Sequence, residues 1–190
     1  MLAAGAFQAA AYGMYETVFP LYLQHLGISF LNMGAIFGLS SVGVLAVRYV
    51  VGSESDRHGR KPFFVGSLAV AALSTALTPA WPHPVAQAAL KTVRDAAGVV
   101  RDVMRLLVVY EHSGTRFVRW IGRFVGSEFF FMALGAVAAG GAVTAIGYGP
   151  TFWVSGGLSG VACAVLWTMF KERRVARPRG ALRAAEGRVA

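Results

Sequence analysis

Charge is scarce in this chain, and cysteine scarcer. Charged residues make up 14% of its 190 residues, against about 25% in an ordinary soluble domain. Disorder and a polar solenoid are both excluded by that figure together with 23 Gly, 13 Phe and 4 Trp. Cys163 is the one cysteine, so there is no disulfide framework and no cysteine-based zinc site. His25, His58, His83 and His112 show no metal-ligand spacing with one another, and no metal is expected. No nucleophile with its base, phosphate-binding glycine loop or haem motif is visible, so neither an enzyme nor a cofactor is expected. Acid is the scarcest charge: 9 Asp+Glu against 18 Lys+Arg give a net charge of +9. Without base-stacking or groove-reading elements beside them, these cations do not indicate nucleic acid.

What the chain has in abundance is apolar length. Hydrophobic residues make up 56%, and a helix needs about 20 mostly apolar residues to cross a bilayer. Residues 62–80, 129–147 and 150–170 pass without a charge; 2–26 carries only Glu16, and 31–51 only Arg48, near its end. The segment 84–110 is different, with Lys91, Arg94, Asp95, Arg101, Asp102 and Arg105. At about 100° per residue, positions 91, 94, 95, 98, 101, 102 and 105 lie within roughly a 120° arc. Such a stripe fits a helix whose charges face a protein interior or aqueous cavity while its other side meets lipid. The alternative is an interfacial amphipathic helix.

Loop charge favours the crossing. With six spans and the N-terminus inside, the external connections hold no Lys or Arg. The internal ones hold Arg57, Arg60, Lys61, Arg116, Arg119, Arg123 and seven cations after Phe170, as the excess of Lys/Arg in cytoplasmic loops requires. The expected architecture is all-α: a membrane bundle of six transmembrane helices over residues 1–170 (about 2–26, 31–51, 62–80, 84–110, 122–147 and 150–170). A basic tail, 171–190, would lie against anionic lipid headgroups in the cytoplasm. No basic n-region precedes the first apolar run, so no cleavable signal peptide is expected.

Between the second and third segments the chain reads Gly52-Ser53-Glu54-Ser55-Asp56-Arg57-His58-Gly59-Arg60-Lys61-Pro62. Gly52 allows close helix approach, Asp56 suits a helix start or a facing dipole, and Gly59 permits a turn with positive φ. Arg60 and Lys61 hold the connection on the cytoplasmic side, and Pro62 suits the first turn of the next helix. This string resembles the G-x-x-x-D-R-x-G-R-K loop of the major facilitator superfamily, with Glu54 where the family usually has an apolar residue. Leu90 to Gly98 resembles the family's L-x-x-x-R-x-x-Q-G pattern on the fourth helix. Arg94 and Gly98 match, Ala97 replaces the glutamine, and Arg101-Asp102 replaces small residues. The Gly-Pro pair of many drug antiporters is missing from the fifth segment.

The resemblance implies the N-terminal six-helix half of a secondary transporter in the cell (inner) membrane, with both termini cytoplasmic and the substrate site between two halves. It further implies alternating access by a small solute, proton coupling, and a second six-helix half or another copy as partner. Gly52, Asp56, Arg57, Gly59, Arg60 and Lys61 would form the cytoplasmic latch, with Asp102 pairing to Arg60. A non-transporting scaffold or regulator, a truncated fragment and a C-terminal half remain open alternatives.

For the cavity, Glu16, Tyr12, Arg94, Asp95 and Gly98 are the candidates. Gln8, Tyr12, Tyr15, Glu16 and Phe19 share one face of the first segment, and Glu16 is read either as a proton carrier or as a fixed partner for a cation such as Arg94. Lys91 and Asp95 are spaced to pair along their helix. Arg105 is expected to reach the interface, and Glu128 to pair with Arg48 or Arg105. The fourth segment's four cations against two anions favour an anionic substrate unless Glu16 and Glu128 cancel them.

Overall fold

The computed structural model describes the backbone of residues 2–58, 60–113 and 117–169, and the side chains of 3–51, 61–110 and 117–169. These residues form six α-helices and one short 3₁₀ turn, with no strand. The helices are α1 (Leu2–His25), α2 (Phe30–His58), α3 (Arg60–Leu77), α4 (Pro84–Ser113), α5 (Phe117–Ile146) and α6 (Tyr148–Met169). Gly52, Asp56 and Arg57 therefore lie on the helical backbone of α2, where the sequence reading placed a tight connection. Gly59, and the side chains of Gly52 to Arg60, lie outside the described residues.

Turn chemistry sets the ends. Gly27 has φ +73°, and its N–H bonds Gln24 O at 2.9 Å while Ile28 N–H bonds Leu23 O at 3.1 Å. Those two bonds make the left-handed glycine cap that closes α1. Gln87, wholly buried, donates Nε2 to the carbonyls of Thr78 (2.8 Å) and Trp81 (2.7 Å), which pins the connection between α3 and α4.

The main packing pairs are α1 with α5 and α6, α4 with α2 and α3, and α3 with α6. Exchanging α1, α2 and α3 for α4, α5 and α6 leaves that set unchanged, so the bundle has the contact topology of two equivalent three-helix units. The closest approach is between α1 and α5. A Cβ on Gly13 would sit 2.0 Å from Met132 O, and one on Gly135 2.1 Å from Ala10 O. Only glycine fits at both, and with few apolar-area gains available in lipid, small residues let helix backbones pack by van der Waals contact instead. Ser155 on α6 adds a buried hydrogen bond of 2.8 Å to Ala11 O.

Two apolar clusters fill the interior. One joins Tyr15, Phe19, Tyr22, Leu23, Ile36 and Phe152; the other joins Ala4, Val51, Phe64, Leu68, Met104 and Leu166. On α2 and α4 the polar residues fall between them, with Ser40 between Ile36 and Val47, and Lys91 to Asp95 between Ala88 and Val100.

Four helices are long and apolar enough to cross a membrane by composition: Phe30–Val51, Lys61–Ala80, Phe117–Ile146 and Tyr148–Met169. The other two differ for structural reasons. The central helix α1 exposes little along its middle, so it has small need of a lipid-facing surface. On α4 the described residues left exposed are Val85, Ala89, Val93, Leu106 and Tyr110, while its described Lys, Arg and Asp residues are buried or part-buried.

Candidate functional site

The charged stripe of α4 divides into two clusters. The inner one gathers side chains from four helices. Lys91 Nζ lies 3.2 Å from Glu16 Oε1 on α1 and 2.7 Å from Asp95 Oδ2. Arg94 donates through Nη1 to Glu16 Oε1 at 2.9 Å and through Nε to Thr75 Oγ1 on α3 at 3.2 Å, and the same Nη1 lies 3.4 Å from Asp95 Oδ1. Ser40 on α2 donates to Asp95 Oδ2. Two cations thus face two carboxylates, and the tetrad is neutral.

Burial makes that balance necessary. Lys91 is 3% exposed and Arg94 4%, and a buried unpaired charge is among the costliest groups a protein can hold. Aromatic faces complete the shell. The Arg94 guanidinium lies 3.5 Å from the Tyr15 ring centre and 5.0 Å from that of Tyr12. Lys91 is within 5.8 Å of the ring centres of Phe37, Tyr15 and Phe19, close enough for cation–π attraction. Pro20, four residues after Glu16, lacks the N–H that would bond Glu16's own carbonyl.

The outer cluster lies one to three turns further along α4. Asp102 Oδ1 accepts from Arg101 at 2.8 Å and lies 3.4 Å from Arg105. Arg105 also pairs with Glu128 on α5. The guanidinium turns across to α5, so of the two partners expected for Glu128, Arg48 and Arg105, the structure selects Arg105. Glu16 and Glu128 together answer the four cations of α4, so the surplus that favoured an anionic substrate is neutralised.

A groove of about 350 Å³ opens beside this cluster, lined by Tyr12, Arg48, Asp95, Gly98, Asp102 and Glu128 among others. The structure thus brings Glu16, Arg94 and Asp95 together, with Tyr12 and Gly98 on the adjoining wall. The stripe proposed for α1 is divided: Tyr15, Phe19 and Gln8 are buried, and of its members only Tyr12 lines the groove. Asp102 pairs along its own helix, and the Arg60 side chain lies outside the described residues. Lys61 is the one described side chain among the six latch residues; its Nζ sits 5.2 Å from the Trp167 ring centre. Ser40 and Thr75 were missed. A lone hydroxyl in an apolar helix carries no signal of which carboxylate or cation it will meet.

A protein-family model described as Major Facilitator Superfamily matches residues 1–189. No curated protein and no solved structure matches the chain. Family members are multi-pass membrane transporters, and the apolar helices, the connection between α2 and α3 and the arginine of α4 fall in family order. On a match that spans nearly all of its length, the chain belongs to the major facilitator superfamily.

Proposed function

We propose that all six helices cross the bilayer with both termini in the cytoplasm of a cell (inner) membrane. In this reading the chain is one half of a secondary transporter that moves a small solute by alternating access. A second six-helix half, or a second copy, closes the other side of the groove.

The observation that carries the reading is the Glu16–Lys91–Arg94–Asp95 tetrad. Ionised groups within apolar helices are costly and mark ion or substrate pathways, and these four tie α1 to α4 beside an open groove. The outward surface of α4 supports its crossing, since the described residues most exposed along it are apolar apart from the Tyr110 hydroxyl.

Protonation offers the coupling. A proton on Glu16 or Asp95 removes one carboxylate and leaves Lys91 and Arg94 in excess, which weakens the tie between α1 and α4. Glu16 is the more accessible of the two acids, its side chain 30% exposed against 19% for Asp95. Asp56, Arg57 and Arg60 hold the cytoplasmic end in one of the two alternating states.

The test is solute-driven proton movement into liposomes holding the full chain, alone or with its second half. Glu16→Gln is expected to abolish proton movement while leaving the protein inserted, and Asp56→Asn to slow solute uptake. Unchanged proton movement in Glu16→Gln removes the coupling role. Absence of any flux from the complete assembly favours a scaffold or regulator.

A further inference from the structure

The charges that line the groove differ in how far their bonding capacity is already used. Asp95 has both oxygens engaged, Oδ1 by Lys91 and Arg94 and Oδ2 by Lys91 and Ser40. Arg105 bridges Asp102 and Glu128. Asp102 is only half engaged: Arg101 and Arg105 both bond Oδ1, Oδ2 accepts nothing among the described residues, and the side chain is 42% exposed. Arg48, on α2, is exposed and pairs with no carboxylate among the described residues. Glu128 Oε1 also accepts nothing among the described residues, but its side chain is 22% exposed against 42% for Asp102. Among the described residues, Arg48 and the more exposed Asp102 Oδ2 are thus the open cation and anion sites of the groove, on two helices that pack together.

We infer that the groove binds a small zwitterion of the amino-acid class, with its carboxylate on Arg48 and its ammonium on Asp102 Oδ2. Guanidinium–carboxylate and ammonium–carboxylate bonds are charge-assisted at both ends. An anion of the same size leaves Asp102 Oδ2 without a partner and facing like charge; a cation leaves Arg48 unpaired and facing like charge. Selection thus works against both single-charge classes as well as for the zwitterion. Phe129 and Met132 on the same wall give an apolar surface for a carbon skeleton. A volume of about 350 Å³ lies at the small end of ligand pockets. The inference names the substrate class for the transport reading and rests on it for movement; binding requires the groove alone.

The test separates the two. Purified full chain is unfolded thermally with glycine, alanine or leucine, and with the amine and the carboxylic acid matched to each. A ligand that binds only the folded state raises the unfolding temperature. At least one amino acid is expected to do so where its matched amine and acid do not. Arg48→Gln and Asp102→Asn, each compared with its own ligand-free baseline, are expected to weaken binding about tenfold or more, the worth of one hydrogen bond to a charged group. Arg48→Gln removes no bond among the described residues, so it keeps the test valid if Asp102→Asn fails to fold. Failure of every amino acid to shift the transition, or an equal shift by an amine or acid, overturns the inference. Binding of an amino acid without flux in liposomes upholds it and removes the transport reading. Flux of a singly charged solute, unaffected by Arg48→Gln, upholds transport and overturns the zwitterion.

Discussion

The inner and outer charge clusters sit on one helix yet are built oppositely. The inner tetrad draws on α1, α2, α3 and α4, buries both of its cations and leaves neither with an open face. The outer cluster draws its bonded partners from α4 and α5 only and keeps a bonding site on Asp102 toward the groove. The buried charges join four helices; in the proposed reading they also respond to a proton. The outer charges remain partly unsatisfied, which is what the proposed ligand would use.

Breaking the tetrad gives the largest expected effect. Asp95→Asn leaves two buried cations facing Glu16 alone, at a cost of about 3–5 kcal/mol, read as a lower thermal or denaturant midpoint in detergent. Removing the pair together, Lys91→Met with Asp95→Met, is expected to cost less than Asp95→Asn alone, because no charge is left unmatched. A double variant less stable than the single one contradicts the assignment of the pair. Gly135→Ala acts on the scaffold that positions α1, and forces a Cβ to 2.1 Å from Ala10 O. About 1–3 kcal/mol of overpacking is expected from thermal unfolding, with no change in any ion pair. The smallest effect belongs to the outer cluster. Glu128→Gln is expected to lower stability by about 1 kcal/mol, since its pair with Arg105 is screened by the open groove, while it alters ligand binding. A loss as large as that of Asp95→Asn erases the distinction between the clusters.

Much of the fold was legible in the sequence. Four helices follow from apolar length alone, and the periodicity of residues 91 to 105 placed the α4 charges on one face before any contact was known. Cross-helix partnerships were less legible. Arg94 was named as one possible partner of Glu16, and the structure pairs them, but that Arg94 also meets Thr75 and that Asp95 meets Ser40 depends on the rotation and spacing of separate helices. In part those are set by Gly13 and Gly135, whose closeness to the facing backbone cannot be read from local sequence. For Glu128 the sequence offered two partners, Arg48 and Arg105, and only the packing of α5 against α4 selects Arg105. The pairing of Asp102 with Arg60 lies outside the described residues.

The reading depends above all on α4 passing through the bilayer, and side-specific labelling tests that most directly. Val85 and Tyr110 are 70% and 68% exposed near opposite ends of α4. Their 25-residue separation is about 38 Å along a helix, enough to span a hydrocarbon core of about 30 Å. Single cysteines are introduced as Val85→Cys and Tyr110→Cys in a Cys163→Ser background, and intact cells are treated with a membrane-impermeant thiol reagent. The expected result is that Val85→Cys reacts from outside, and Tyr110→Cys only once the cells are permeabilised. Reaction of both from the same side lays α4 along the membrane surface and contradicts the six-span half-transporter.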